Sequence, residues 1–311
     1  MRKKIAILGA TGHIAKSLIY GFCLTDNYEL LLFARSNDRL NEFLQRIHCN
    51  NRFSYRAFSE FEQEKYDVVI NCIGIGDPGK LKNAGISIFR LTETYDNMIL
   101  DYIEDQNDAL YINFSSGAAY GTYFSIPADE SSCAKIYINN LASTDYYGIA
   151  KLNAEAKHRS LNNLNIIDLR IFGYFSRFID IGSQYLLSEA ISCIQDGKVL
   201  ETGPGNIIRD YVHPQDFMSL IEKCINKRSI NDVFDVYSKK PVTKFEILDY
   251  FTRQYGLRYI VKENANISNA TGTKDNYYSN NKKAEKLCYF PRFTSLDSII
   301  DETKLILSNT I

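Results

Sequence analysis

The stretch "KKIAILGATGHIAKSLIYGF", residues 3–22, constrains the fold more than any other in the chain. A short apolar run, a glycine-bearing turn and an amphipathic stretch follow one another with no spacer. A brief apolar run bounded by turn residues reads as a strand buried on both faces. Gly9 can make the tight turn out of it, Gly12 lets the backbone come close to a pyrophosphate, and the small Ala15 allows the next helix to lie on the strand, with the anion at the helix N-terminus. The spacing is G-x-x-G-x-x-A, and a purely structural turn is the competing reading.

The same alternation continues for 175 residues. Apolar runs at 4–9, 29–35, 53–58, 67–74, 110–116 and 166–172 predict strands, and the stretches 14–24, 38–48, 88–105 and 146–160 predict helices between them. Strand and helix alternating at this interval imply an α/β fold, a Rossmann-type doubly wound parallel sheet over residues 1–174, with its ligand crevice at the carboxyl ends of the strands. Beyond 175 the rhythm changes to helices near 183–196, 214–226 and 243–255, strands near 233–237 and 258–263, and a polar stretch at 264–281. This predicts a smaller C-terminal α/β substrate lobe, 175–311, with segments near 205–240 returning to the first domain.

Composition excludes several classes. With 36 Lys+Arg against 37 Asp+Glu the net charge is −1, so the basic field that nucleic-acid binding needs is missing. Seven cysteines, at 23, 49, 72, 133, 193, 224 and 288, show no CxxC pair and no zinc spacing, so buried free thiols and no metal are expected. "MRKKIAILG" begins like a signal peptide, but its apolar run stops at a glycine after four residues, and no later stretch approaches the roughly 20 apolar residues of a membrane span. A cytoplasmic protein with no membrane partner is the expectation.

The tip of the second strand bears on the cofactor. "LLFARSNDR" places Arg35, then Ser36 and Arg39, where a site for NAD usually has an acid that accepts from the ribose 2′-hydroxyl. A guanidinium can pair with a 2′-phosphate instead, which favours NADP(H) over NAD. A solvated arginine at a strand end is the alternative.

"DYYGIAKLNAE", 145–155, sets Tyr147 one helical turn before Lys151. A phenol titrates near pH 10 and becomes a useful acid–base group only when nearby positive charge stabilises its phenolate. "NFSSGAAYG", 113–121, lies at a predicted strand end, where Ser115 or Ser116 could hydrogen-bond a carbonyl oxygen as the phenol protonates it.

With these segments in hand, the chain resembles the extended short-chain dehydrogenases/reductases, in particular the nucleotide-sugar epimerases, dehydratases and reductases. "GATGHIA" resembles the cofactor turn, "DVVINCIG" the fourth strand, "FSSGAAYG" the serine/threonine segment and "YGIAKLNAE" the Tyr-Lys helix; "LRIFGYF", "RDYVHPQDF" and "VFDVYSKKPVTKFEIL" resemble later blocks. The resemblance implies Ser116, Tyr147 and Lys151 as the catalytic trio. It implies cofactor contacts at Gly9, Thr11, Gly12, His13, Ile14, Arg35, Ser36, Cys72, Ile73, Gly74, Tyr147 and Lys151. Ser115, Ser116, Gly117 and Arg209 would meet a nucleotide-sugar substrate, Arg209 at its diphosphate. Competing readings are an ion pair of Arg209 with Asp210 or Asp216, and for His213 a satisfied structural histidine.

Three departures matter. Ser116 is followed by Gly117 and Ala118 rather than an Asp-Glu pair, which argues against dehydration. Tyr237 replaces a glycine, and "GYFSRFID" replaces a block that contacts the sugar. The expected activity is NADPH-dependent reduction of a 4-keto-6-deoxy nucleotide-sugar. A 4-epimerase holding NAD tightly is the alternative, and a non-enzymatic dinucleotide sensor a third. A homodimer through two helices per subunit, one carrying Leu152 and Ala156, and a role in polysaccharide synthesis are further implications of the resemblance.

Overall fold

The computed structural model describes residues 2–49, 53–227, 229–263 and 274–309. Its first part runs β1 (Lys3–Leu8), α1 (His13–Cys23), β2 (Tyr28–Phe33), α2 (Asn37–Arg46), β3 (Ser54–Arg56), β4 (Val68–Asn71), α3 (Pro78–Ala84), α4 (Ser87–Asp105), β5 (Leu110–Ser116), α5 (Ser143–Ser160) and β6 (Ile166–Ile171). There follow α6 (Leu186–Asp196), β7 (Val199–Thr202), β8 (Ile208–Arg209), α7 (Pro214–Ile225), β9 (Asn231–Val236), β10 (Val242–Thr243), α8 (Lys244–Tyr255), β11 (Arg258–Val261), β12 (Asn276–Tyr277) and α9 (Ser295–Leu307).

Seven strands pair in the order β3-β2-β1-β4-β5-β6-β9, every neighbouring pair parallel. The order reverses between β1 and β4, which opens a crevice at their carboxyl ends. Strand alternation feeds two cores. Ile5, Ile7, Leu30 and Leu32 face one cluster with α1 and α7, while Ala6, Leu8, Leu31 and Phe33 face another with Ile99 and Ile103 of α4. Both faces are therefore apolar, as the uninterrupted runs in the sequence require.

A third core joins Phe175, Leu187, Ile191, Leu248, Phe251 and Ile299 from α6, α8, α9 and the chain after β6. Beside it lie a three-stranded sheet, β10-β8-β12, and the parallel pair β11-β7. Among the described residues no helix is long and apolar enough to cross a membrane.

One polar cluster lies inside the sheet–helix layer. His158 of α5 is fully buried, with Nδ1 at 2.9 and 3.0 Å from the two carboxylate oxygens of Asp168 and Nε2 at 2.8 Å from Asp96. Tyr111 donates to Asp96, Asn71 donates to Tyr111, and Asn113 donates to Asp168. Burial opposes charge on the imidazole, but the two carboxylates outweigh it and raise His158 to about 9.

The cysteines depart from expectation. Cys23 at the end of α1 and Cys49 just beyond α2 form a disulfide, because α1 and α2 end side by side across the sheet face they share. Of the rest, Cys224 is buried, Cys72 and Cys193 are half-buried, and Cys133 and Cys288 are exposed.

Candidate active site

β1 delivers the chain into the glycine turn. Gly9 adopts φ +76°, a left-handed conformation that a side chain would strain, and a Cβ there would meet the backbone of Cys72 at 3.1 Å. The amides of Gly9 and Ala10 donate to Phe33 O, which ties the turn to the end of β2. At the start of α1, Gly12 offers no side-chain cap and the first turn carries no acid, so among the described residues no side chain answers the helix's orphan N–H groups. An anion fits that cradle. Thr11 and Ile14 are half-buried in the turn, and the His13 ring is held by a 2.8 Å hydrogen bond with Ser176 and packs on Tyr174. Burial pushes His13 down to about 4.

At the tip of β2, Arg35 is exposed and pairs with no carboxylate among the described residues, while Ser36 caps α2 by accepting from Arg39 N at 3.4 Å. Beyond β4, Asn71 accepts from Ile73 N at 3.0 Å and fixes the turn that carries Cys72, Ile73 and Gly74. Burial pushes the Cys72 thiol up, so it is no thiolate.

β5 and α5 bring the acid–base groups together. α5 begins at Ser143, three residues earlier than expected, because Asp145 accepts from Ala142 N at 2.9 Å and caps it. Gly148 then lets α5 touch the Gly117–Tyr120 turn after β5, where any side chain would collide with Ala118 O. Lys151 is buried, donates to Phe114 O at 2.8 Å and stands 6.0 Å from the Tyr147 ring centroid. Its ammonium is also the nearest group to Gly74, 3.9 Å from where a Cβ would sit. Ser116 Oγ accepts from Ala118 N at 3.2 Å and lies 3.1 Å from Tyr277 OH. The Tyr147 hydroxyl is left without a partner among the described residues, half-exposed beside them.

Ser115 does not share this crevice. Adjacent strand residues face opposite sides, and its hydroxyl donates to Glu155, which in turn pairs with Arg170. Gly117 lies buried against Phe172. His213 is structural: it accepts from Gln215 N at the start of α7 and stacks on Phe293 at 3.9 Å. Tyr237 packs on Tyr289, so it repacks a loop rather than narrowing the crevice.

Arg209 makes neither of the ion pairs weighed above. Asp210 accepts instead from Ser238 and Ser295, and Asp216 from the amides of Arg292 and Phe293. One nitrogen of Arg209, Nη1, donates to the carbonyls of Ile208 and Lys274 at 2.8 and 2.7 Å. Two site residues had no sequence signal at all. Tyr277 and Lys274 come from the polar stretch before α9, and Tyr277 reaches Ser116 while Phe124 packs edge-on against it at 4.9 Å. Among the described residues no cluster suits a metal ion.

Solved structures share this fold. A UDP-N-acetylglucosamine 4-epimerase from Methanobrevibacter ruminantium M1 matches with a TM-score of 0.82 and 16% identity over 99% of each chain. A UDP-glucose-4-epimerase from Stenotrophomonas maltophila gives 0.81 and 14% over 99% of each. A dTDP-glucose 4,6-dehydratase from Bacillus anthracis gives 0.79 and 15% over 99% of this chain and 97% of that one. No curated protein matches the chain at a significant level. The sequence profile described as the NAD dependent epimerase/dehydratase family matches residues 5–238, most of the chain, and covers the glycine turn, Ser116, Tyr147, Lys151 and Arg209 together. The chain therefore belongs to the NAD dependent epimerase/dehydratase family, a group of NAD(P)-dependent enzymes within the extended short-chain dehydrogenases/reductases.

Proposed function

We propose that the protein reduces a nucleotide-activated keto-sugar, of the 4-keto-6-deoxy type, at the expense of NADPH. The observation that carries the chemistry is the convergence of Ser116 at the end of β5 with Tyr147 and Lys151 on one face of α5. A bound reduced nicotinamide would supply a hydride to the keto carbon. Tyr147 gives its proton to the carbonyl oxygen, and the Lys151 ammonium steadies the phenolate left behind. Ser116 hydrogen-bonds the same oxygen, which requires its contact with Tyr277 to open. Dehydration is disfavoured because Gly117 and Ala118 after Ser116 cannot move protons.

Arg35 selects the reductase over the epimerase. It stands exposed at the β2 tip, unpaired with any acid among the described residues, where a 2′-phosphate would meet it. A spent reductant suits NADPH, whereas an epimerase recycles its nicotinamide. A second reading, a 4-epimerase with tightly held NAD, is favoured by the likeness to solved 4-epimerases, one of them from Bifidobacterium longum in complex with NAD+ and UDP. We place the enzyme in the cytoplasm as a homodimer through α4 and α5, where Leu152 is half-buried and Ala156 exposed.

Denaturing the purified protein and identifying any released nicotinamide, then titrating NADPH against NADH, separates the two readings. An empty site with NADPH preference supports the reductase; co-purified NAD supports the epimerase. In either, Tyr147→Phe should cut kcat by about 10²–10⁴ while cofactor binding stays within a few-fold. Turnover within a few-fold of the parent would remove Tyr147 from the mechanism.

A further inference from the structure

Between β6 and α6 the chain passes from the sheet to the smaller lobe, and its polar side chains on the way are engaged within the protein. Tyr174 donates to Ser17, Ser176 bonds with His13, and Arg177 pairs with Glu302 of α9. Gly173 leaves no room for a side chain, since a Cβ there would stand 2.4 Å from Asp210 O. Tyr185, the residue that precedes α6, is different. It is half-buried, and its hydroxyl has no hydrogen-bond partner among the described residues. Contacts from the loop after β4 fix where that hydroxyl goes. Asp77 caps α3 with one carboxylate oxygen, accepting from Lys80 N at 2.7 Å, and with the other accepts from Gln184 N at 3.2 Å, while Lys80 Nζ lies 3.3 Å from Asp180. The lobe is thereby tied to the carboxyl end of β4 one residue before Tyr185.

Gly76 makes the space for this phenol: a Cβ there would lie 3.1 Å from the Tyr185 hydroxyl. Two residues earlier, Gly74 has the Lys151 ammonium as its nearest neighbour, and Tyr147 and Tyr277 lie within electrostatic reach of Tyr185. The phenol therefore stands beside the acid–base groups. Burial, with Tyr147 and Asp77 adding to it, holds Tyr185 above its ordinary value, so it remains a protonated donor. A half-buried phenol with no partner in the chain donates to water until an oxygen of a ligand takes that place. We propose that Tyr185 is a specificity-determining residue, whose hydroxyl donates to an oxygen of the substrate's sugar other than the one Tyr147 protonates. This rests on the nucleotide-sugar reading above and adds to it a group that recognises the sugar without reacting with it. Ser116 and Tyr147 already answer the reacting oxygen, so one more donor beside them serves a second one.

Calorimetric titration of the full chain, without added cofactor, tests this with two pairs of probes: UDP against UDP-glucose, and dTDP against dTDP-4-keto-6-deoxyglucose. Within each pair the sugar is what differs. Tyr185→Phe keeps the ring and should raise the Kd of the sugar-bearing nucleotide about five- to tenfold, while the free nucleotide and NADPH stay within about twofold of the parent. Gly76→Ala keeps the phenol but crowds its hydroxyl, and should give the same selective loss. It decides the matter if a thermal melt shows that Tyr185→Phe does not fold. A merely structural tyrosine would weaken both members of a pair alike. Equal affinity of parent and variant for the sugar-bearing form, equal losses for both members of a pair, or a loss for NADPH instead would overturn the inference and leave the nucleotide-sugar reading standing. If the parent binds no member of either pair, both fall.

Discussion

His158 and Lys274 are both buried bases, and the protein treats them in opposite ways. His158 sits between α5 and the sheet with a carboxylate on each ring nitrogen, and is held charged, raised to about 9. Lys274, at the rim of the crevice, meets no carboxylate among the described residues and is lowered to about 7 by burial, with Arg209 adding to it. A complete cluster belongs to the architecture, since every group in it is answered from within the chain. A buried base that meets no carboxylate is disfavoured in its charged form instead, because nothing repays the loss of its hydration.

The comparison can be broken most forcefully at the complete cluster. His158→Ala would leave Asp96 and Asp168 facing each other without the imidazolium, and should cost about 3–5 kcal/mol in denaturant unfolding. A loss below about 1 kcal/mol would mean that the two carboxylates are answered by other groups, among them Lys157 and Arg159, which contact them from the surface.

A pH series sharpens the contrast, because the two groups push stability in opposite directions. His158 is raised from 6.5 to about 9, so its contribution is fully present below about pH 6.5 and is lost as pH rises through 9. Lys274 is lowered from 10.5 to about 7, so its penalty is full below about pH 7 and is relieved as pH climbs toward 10.5. Between about pH 7 and 9 the slopes oppose each other, each on the order of 3 kcal/mol in total. Unfolding curves of Lys274→Met should therefore fall more steeply with pH in that window than those of the parent. Identical slopes would show that Lys274 titrates as an ordinary lysine.

The smallest effect is expected at Arg35, an exposed cation with no acidic partner among the described residues, whose charge stays solvated and costs the fold little. Arg35→Asp should weaken NADPH by about tenfold or more and NADH much less, by fluorescence titration. Equal losses would remove the 2′-phosphate contact and favour the epimerase.

These differences also mark how far the sequence can be read. "LYINFSS" and "IIDLRIF" become β5 and β6 almost residue for residue, because a parallel strand buried on both faces leaves a short, mostly apolar run. The helix over 295–307 is absent from the expectations above, and so are β8, β10 and β12, which are two residues long and carry no periodicity to detect. At the site, Ser116, Tyr147, Lys151 and the glycine turn announce themselves by local spacing. Strand alternation alone separates Ser115 from Ser116 once the strand is granted. The surroundings of Lys274 and the pairing of Cys23 with Cys49 are legible in no window of sequence, since each depends on what distant segments bring to one place.

The last strand of the sheet has a consequence for how the protein is made. β9 pairs along the whole length of β6, yet it is reached only after α6, α7 and two strands of the smaller sheets have been synthesised. Until then β6 is a bare, apolar edge on a growing chain, the kind of surface that pairs with the wrong partner. A fragment ending near residue 174 would keep that edge for good, so any excised nucleotide-binding half that is to stay in solution has to run past Val236.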